Sequence, residues 1–377
     1  MRFSLRSAHE GRKNALSLAL EERRARGQLV TDLTVSNPTT AGIPYDAAAI
    51  QGALSVPESL VYEPAAFGLA SARQAVADHL GMDGSRVLLT ASTSEAYAFL
   101  FKALCDPGDE VLVPAPSYPL FDQLASIESV RLVPYRIAYD GAWHLDAASI
   151  VPTARTRAIL VVSPNNPTGS SLTRPELARL RATGLPVVAD EVFAPYAFRA
   201  GQDRVECAAR EAGSSLVFSL GGLSKLAGLP QMKLGWIVVG GPEELTREAL
   251  ERLEWIADAF LSVGAPIQHA LPRILAASEP TRATIRGRLA RNLDVLRRTL
   301  EGSAATVLDV EGGWYAIVRL PATRDEEAWT LELLSHGYHV HPGHFFDMEG
   351  EPFVVVSLLT PEADLERGAR AIRDLVG

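Results

Sequence analysis

AILVVSPNNPTGSSLTRPELARLRATGLPVVADE, residues 158–191, holds the change of period that decides the fold. Its two ends, AILVV and LPVVA, are short apolar runs without alternation, the pattern of strands covered on both faces. A polar turn and the helical segment 174–183 lie between them. The same alternation extends in both directions along the chain. Strands are predicted at 87–90, 110–114, 130–136, 158–163, 185–189, 216–220 and 234–240, with helices at 94–105, 118–127 and 174–183. This is the signature of an α/β fold whose large domain carries a mostly parallel, doubly wound sheet.

After residue 242 the pattern changes. Helical stretches at 243–260, 266–277 and 282–300 lead to strands near 306–310, 314–320 and 353–358 and a closing helix at 362–376. Joined by an N-terminal helix around 11–26, these segments read as a smaller α+β domain. The expected division is a large domain over 46–265 and a small domain from 1–45 with 266–377. A chain of 377 residues is of the right length for two domains.

Composition narrows the function. Acidic residues number 45 and basic ones 36, for a net charge of −9, so no basic footprint exists for a nucleic-acid backbone or an anionic membrane. No apolar run approaches the ~18 residues of a spanning helix. The first residues lack the continuous apolar core of a secretory signal. Cys105 and Cys207 form neither a metal pattern nor a disulfide framework. The expectation is a cytoplasmic protein with a buried small-molecule site. Only four of the 36 basic residues are lysines, namely Lys13, Lys102, Lys225 and Lys233. A lysine kept among so many arginines can lose its proton and attack a carbonyl, which arginine cannot.

Ligands of open parallel sheets bind beyond the carboxyl ends of the strands. Ser92, Thr93 and Ser94 follow the 87–90 strand and open a helix, which offers hydroxyls and free amides to an anion or serves as a plain N-cap. Tyr118 projects from a proline-stiffened turn. Asn166 follows the 158–163 strand and offers an amide to a ligand or simply shapes a turn. Asp190 ends a buried strand, where a carboxylate must be paired or hydrogen-bonded. Lys225 sits in a Gly- and Ser-rich turn after the 216–220 strand, eight residues before Lys233. An anion site, an aromatic, an amide, a carboxylate and a lysine on one rim suit an aromatic aldehyde cofactor with a phosphate tail.

In these residues the chain resembles the fold-type I, pyridoxal-phosphate-dependent enzymes of the class I/II aminotransferase family. The resemblance runs through YEPAAFG at 62–68 with Arg73, the helix start at 91–96, PSYP at 116–119, SPNNPTG at 163–169, Asp190-Glu191, Ser224-Lys225 through Gly235, Gly312-Gly313 and Pro342-Gly343. It implies pyridoxal 5'-phosphate as cofactor and Lys225 as the catalytic amine that forms the Schiff base. Asp190 would pair with the ring nitrogen, Asn166 with the phenolate oxygen, and Tyr118 would stack on the ring. Ser92, Thr93, Ser94 and Lys233 would hold the phosphate. Tyr62 would reach the phosphate of a neighbouring subunit, implying a homodimer with shared active sites. The implied activity is a ping-pong transfer of an amino group between an amino acid or amine and a 2-oxo acid or other carbonyl acceptor. A lyase, decarboxylase or racemase would use the same scaffold.

Four positions depart from the family pattern. Phe193 stands for a tyrosine, Gly222 for a serine and Lys233 for an arginine. Val355 stands where the family carries the arginine that grips the substrate carboxylate. His339, His341 and His344 lie nearby as other candidates for that task.

Overall fold

The computed structural model describes residues 3–8, 13–199, 201 and 203–377. Eight strands form the large sheet, in the spatial order Val87–Thr90, Gly235–Gly240, Val217–Gly222, Val187–Asp190, Thr156–Val162, Glu110–Ala115, Arg131–Tyr139 and Trp143–Leu145. The five from Val217–Gly222 to Arg131–Tyr139 run parallel. Gly235–Gly240 is antiparallel to both of its neighbours, and the edge strand Trp143–Leu145 is antiparallel as well. Strand order reverses where Thr156–Val162 meets Glu110–Ala115, and loops leaving a sheet at such a point diverge and open a crevice.

Both faces of this sheet are covered, which explains why its strands read as unbroken apolar runs. On one face Leu160, Val162, Val188 and Ile237 pack with residues of the helices Thr93–Leu104, Leu120–Glu128 and Glu243–Asp258. On the other, Ile159, Val161 and Val187 meet Leu177 and Leu180 of the helix Arg174–Arg181. Beside them Leu89, Trp236 and Val238 meet the helices Ala70–Leu80 and Ala265–Ala277. At ~25 cal/mol per Å² of apolar surface, these two buried faces are the main source of the sheet's stability.

The second unit is an antiparallel sheet in the order Thr306–Val307, Tyr315–Arg319, Phe353–Ser357 and His341–Pro342. Its core joins Val318, Val354 and Val356 to Ile285, Leu289 and Leu293 of the helix Glu279–Leu300 and to Leu365 of Glu362–Val376. Thr31–Asp32 pairs in parallel with Tyr338–His339 and so carries the N-terminal segment to this unit.

Several elements differ from the sequence reading. The N-terminal helix is Ala15–Ala25, and residues 11 and 12 of the expected one lie outside the described residues. Helices Ala47–Leu54, Ala70–Leu80 and Glu326–Ser335 and the edge strand Trp143–Leu145 are additional. The strand expected at 306–310 stops at Val307, because the chain then leaves the sheet to close over the 163–169 loop. There a Cβ on Gly169 would lie 2.2 Å from Val310 Cγ2, and one on Gly312 would lie 2.8 Å from Pro164 Cγ. Both positions must therefore be glycine for the two segments to approach.

Candidate active site

The strand Val217–Gly222 ends in two glycines. The Trp236 indole lies where a side chain on Gly221 would sit, with Nε1 2.5 Å from the Cβ position. The backbone then turns into the single helical turn Leu223–Leu226, which carries Lys225. Tyr196 Oη donates to the Lys225 carbonyl at 2.7 Å and fixes that turn. The Lys225 Nζ lies 4.4 Å from the centroid of the Trp314 ring and 5.3 Å from that of Phe193. Burial pushes this amine down to about 8, with the charge of Asp190 opposing the shift. Lys225 is thus a lysine that reaches its neutral, nucleophilic form near neutral pH.

Asp190 closes the strand Val187–Asp190 and is buried. Tyr97 Oη donates to its Oδ2 at 2.8 Å and the Val192 amide donates to Oδ1 at 3.1 Å. Burial pushes the carboxyl up, while these two hydrogen bonds and Lys225 pull the other way. Tyr97 escaped the sequence reading. It lies on the inward face of the helix Thr93–Leu104 with Ala96, Leu100 and Phe101, and an aromatic on such a stripe reads as core. The available signal was its place one turn beyond Thr93, on the helix that opens at the proposed anion site.

The two asparagines of PNNPTG divide their work. Asn165 Nδ2 donates to the Pro116 carbonyl and to Thr168 Oγ1, both at 2.9 Å, and its Oδ1 accepts from Ser117 Oγ at 3.2 Å. It locks the PSYP turn to its own loop across the point where strand order reverses. Asn166 is buried, and its Oδ1 has no partner among the described residues. Its amide is thus free of structural duty. Tyr118 is partly exposed beside Phe121, and burial together with the Asp190 charge pushes its phenol up.

At the opening of Thr93–Leu104, Ser92 Oγ caps the helix by accepting from the Glu95 amide at 3.2 Å. Glu95 Oε2 accepts from the Ala91 amide at 2.6 Å. The backbone of Gly235 packs against this turn, with its Cβ position 3.0 Å from the Ser92 carbonyl carbon. Two residues earlier, Lys233 holds the left-handed conformation (φ 49°) and is exposed, with no ion-pair partner among the described residues. The segment carrying Lys233 thus runs beside the N-terminus of that helix, an end that favours anions. Tyr62 stands elsewhere. It is 80% exposed, next to exposed Leu60 and Val61, and lines a cavity of about 200 Å³ with Leu261 and Gln268 that none of the other predicted site residues lines.

The departures from the family pattern have clear surroundings. Phe193 is buried edge-on to Trp314, with ring centroids 5.6 Å apart. A Cβ on Gly222 would sit 3.1 Å from the Leu234 carbonyl, so a serine there needs the neighbouring strand to give way slightly. Val355 is fully buried among Ile317, Phe346, Met348 and Phe353. Its partner on the adjacent strand is His341, whose Nδ1 is buried without a partner among the described residues. Burial pushes the His341 imidazole down to about 4, helped by His339, which faces Asp32 at 3.4 Å. His344 is exposed and tied to Glu326 at 2.5 Å.

The residues fit pyridoxal phosphate. An Asn166 side-chain amide not engaged through its oxygen, whose Nδ2 can donate to a phenolate, a buried Asp190 carboxyl lacking a full counter-charge, a poised Lys225 amine and a helix N-terminus are the complements of its phenolate, ring nitrogen, aldehyde and phosphate.

Residues 30–372 match the profile described as aminotransferase class I and II. The glutamate-pyruvate aminotransferase of Escherichia coli is 30% identical over 262 residues, 66% of this chain and 64% of that protein, so the match spans under two thirds of the relative's length. The alanine aminotransferase of Mycobacterium tuberculosis is 27% identical over 331 residues, 82% of this chain and 76% of that one. Among solved structures, alanine aminotransferase from Pyrococcus furiosus superposes with a TM-score of 0.87 at 24% identity, covering 100% of this chain and 99% of that one. An aspartate aminotransferase double mutant from Thermus thermophilus gives 0.86 at 22% identity, covering both chains fully. These likenesses carry the fold.

Proposed function

The chain belongs to the class I and II aminotransferase family, and from that premise we propose that it is a pyridoxal-phosphate-dependent transaminase moving an amino group between an amino acid and a 2-oxo acid. The observation that carries the proposal is the meeting of a half-buried Lys225, pushed down to about 8, with the charge field of a buried Asp190, whose carboxyl burial pushes up. Bound here, the coenzyme supplies an aldehyde for the amino group and a ring that accepts the electron pair of the broken Cα–H bond. Lys225 would supply its neutral amine to the aldehyde and move the Cα proton, and Asp190, steadied by Tyr97, would pair with the ring nitrogen. Asn166 would donate its amide to the phenolate oxygen, Tyr118 would stack on the ring, and Ser92, Thr93 and Ser94, with Lys233, would hold the phosphate.

The names of the E. coli and M. tuberculosis relatives support glutamate or alanine as donor and pyruvate as a 2-oxo acid. A homodimer belongs to the same reading, with Tyr62 reaching into a second copy; what supports it is the exposed apolar run Leu60, Val61 and Tyr62. A cytoplasmic setting is in keeping with two unpaired cysteines.

The test is a half-reaction. Protein carrying the coenzyme is titrated with a panel of amino acids and amines, and its visible absorbance is followed. Bleaching matched by one equivalent of 2-oxo product supports the proposal. Release of ammonia, CO₂ or a racemised amino acid in place of that product rejects it for the lyase, decarboxylase or racemase reading.

A further inference from the structure

A cavity of about 350 Å³ abuts the Gly221-Gly222 turn and Leu226, yet none of Tyr118, Asn166, Asp190 and Lys225 lines it. Four guanidinium groups do, those of Arg204, Arg210, Arg282 and Arg286. Against them stand Glu206, Glu279 and Glu191. Glu191 is half-buried, accepts from the Ala208 amide at 2.6 Å and from Ser219 Oγ at 3.0 Å, and its removal from water pushes the carboxyl up to about 8. That rise favours its neutral form, which leaves Glu206 and Glu279 as the standing carboxylates against four guanidiniums, in a protein whose net charge is −9.

Those two are already engaged. Glu206 pairs with Arg210 at 3.0 Å, and Glu279 is shared by Arg282 and Arg286, the latter at 2.7 Å. The remaining N–H groups go short. The Arg282 side chain is only 11% exposed, and its Nη1 is buried without an acceptor among the described residues. Arg204 Nε is in the same position, while its Nη2 donates to the Ala194 carbonyl at 2.9 Å. Burial pushes the Arg204 guanidinium down, the mark of a cation with too little compensation. Leaving a buried donor without an acceptor is costly, and more so when it is charged. Guanidinium forks match the paired oxygens of phosphate and carboxylate, and a volume of this size admits a small ligand.

We propose that this cavity binds a small, multiply charged oxyanion, of the phosphate-ester or polycarboxylate kind, separately from the phosphate of the coenzyme. The proposal stands independently of the transaminase reading.

The experiment is isothermal titration calorimetry on holoenzyme saturated with coenzyme, so that the Ser92–Ser94 turn is filled. Inorganic pyrophosphate is titrated in one arm and citrate in the other. Saturable binding of either at one per chain, weakened at least tenfold in both Arg204→Gln and Arg282→Gln and retained in Arg291→Gln, is the expected result. Arg291 pairs with Glu362 and does not line the cavity. Binding of pyrophosphate alone assigns the phosphate-ester class, and binding of citrate alone the polycarboxylate class. No saturable heat in either arm overturns the proposal, as does binding that survives both Arg204→Gln and Arg282→Gln. If Arg282→Gln fails to fold, the Arg204→Gln result decides.

Discussion

Tyr97→Phe removes one oxygen and tests the logic of the site. Tyr97 Oη donates to Asp190 Oδ2 at 2.8 Å, and both residues are buried. A hydrogen bond to a charged group contributes about 1.5–3 kcal/mol. Its loss raises the Asp190 carboxyl further, beyond the rise burial already imposes. In the coenzyme-free protein the carboxyl escapes the loss by taking up a proton. Opposite a protonated ring nitrogen it must stay ionised, so the loss falls on the bound state. The expected result is a coenzyme dissociation constant about 10- to 100-fold weaker, since each ~1.4 kcal/mol is a factor of ten. The assay is equilibrium titration of coenzyme-free protein with pyridoxal phosphate, followed by the change in visible absorbance. Thermal denaturation of the coenzyme-free variant controls for misfolding. A variant that melts like the wild type and binds within twofold of it would refute the assignment of Asp190 to the ring nitrogen.

Three other outcomes follow from the same geometry. Covalent uptake of pyridoxal phosphate should accelerate about tenfold per pH unit below 8 and level off above it, because only the neutral Lys225 amine reacts; stopped-flow absorbance that is flat from pH 6 to 9 would contradict this. Phe193→Tyr adds a hydroxyl to a ring whose centroid is 5.3 Å from Lys225 Nζ, and should lower the pH of the coenzyme's colour transition by about one unit. An unchanged or higher transition counts against it. Val355→Arg places an unpaired cation in a fully buried apolar cluster, and should destabilise the protein by roughly 3 kcal/mol or more. Wild-type melting with a lowered KM for an amino acid donor would show instead that the strand faces the cleft.

Much of the candidate site was legible because Ser92, Tyr118, Asn166, Asp190 and Lys225 each stand just after an apolar run, where a parallel sheet delivers ligand groups. Lys225 stood out further by being a lysine among arginines. What escaped was whatever approaches from another element. Tyr97 reads as a core aromatic, and only its contact with a residue 93 positions away gives it a role. Trp314, under the Lys225 amine, comes from the second unit. The oxyanion cavity draws Arg204, Arg282 and Glu191 from segments with no shared motif.

Local patterning alone determined the α/β class, the order of the strands along the chain and the rim on which the candidate site residues stand. Periodicity and strand ends are properties of contiguous residues, so they can be read without coordinates. Only packing decided which buried groups keep a partner and which do not: why Asn165 is consumed by the loop while Asn166 is spare, and why Val355 cannot act for an arginine. Burial and hydrogen-bond satisfaction depend on neighbours distant in sequence, and those neighbours set the charge state of Lys225 and Asp190.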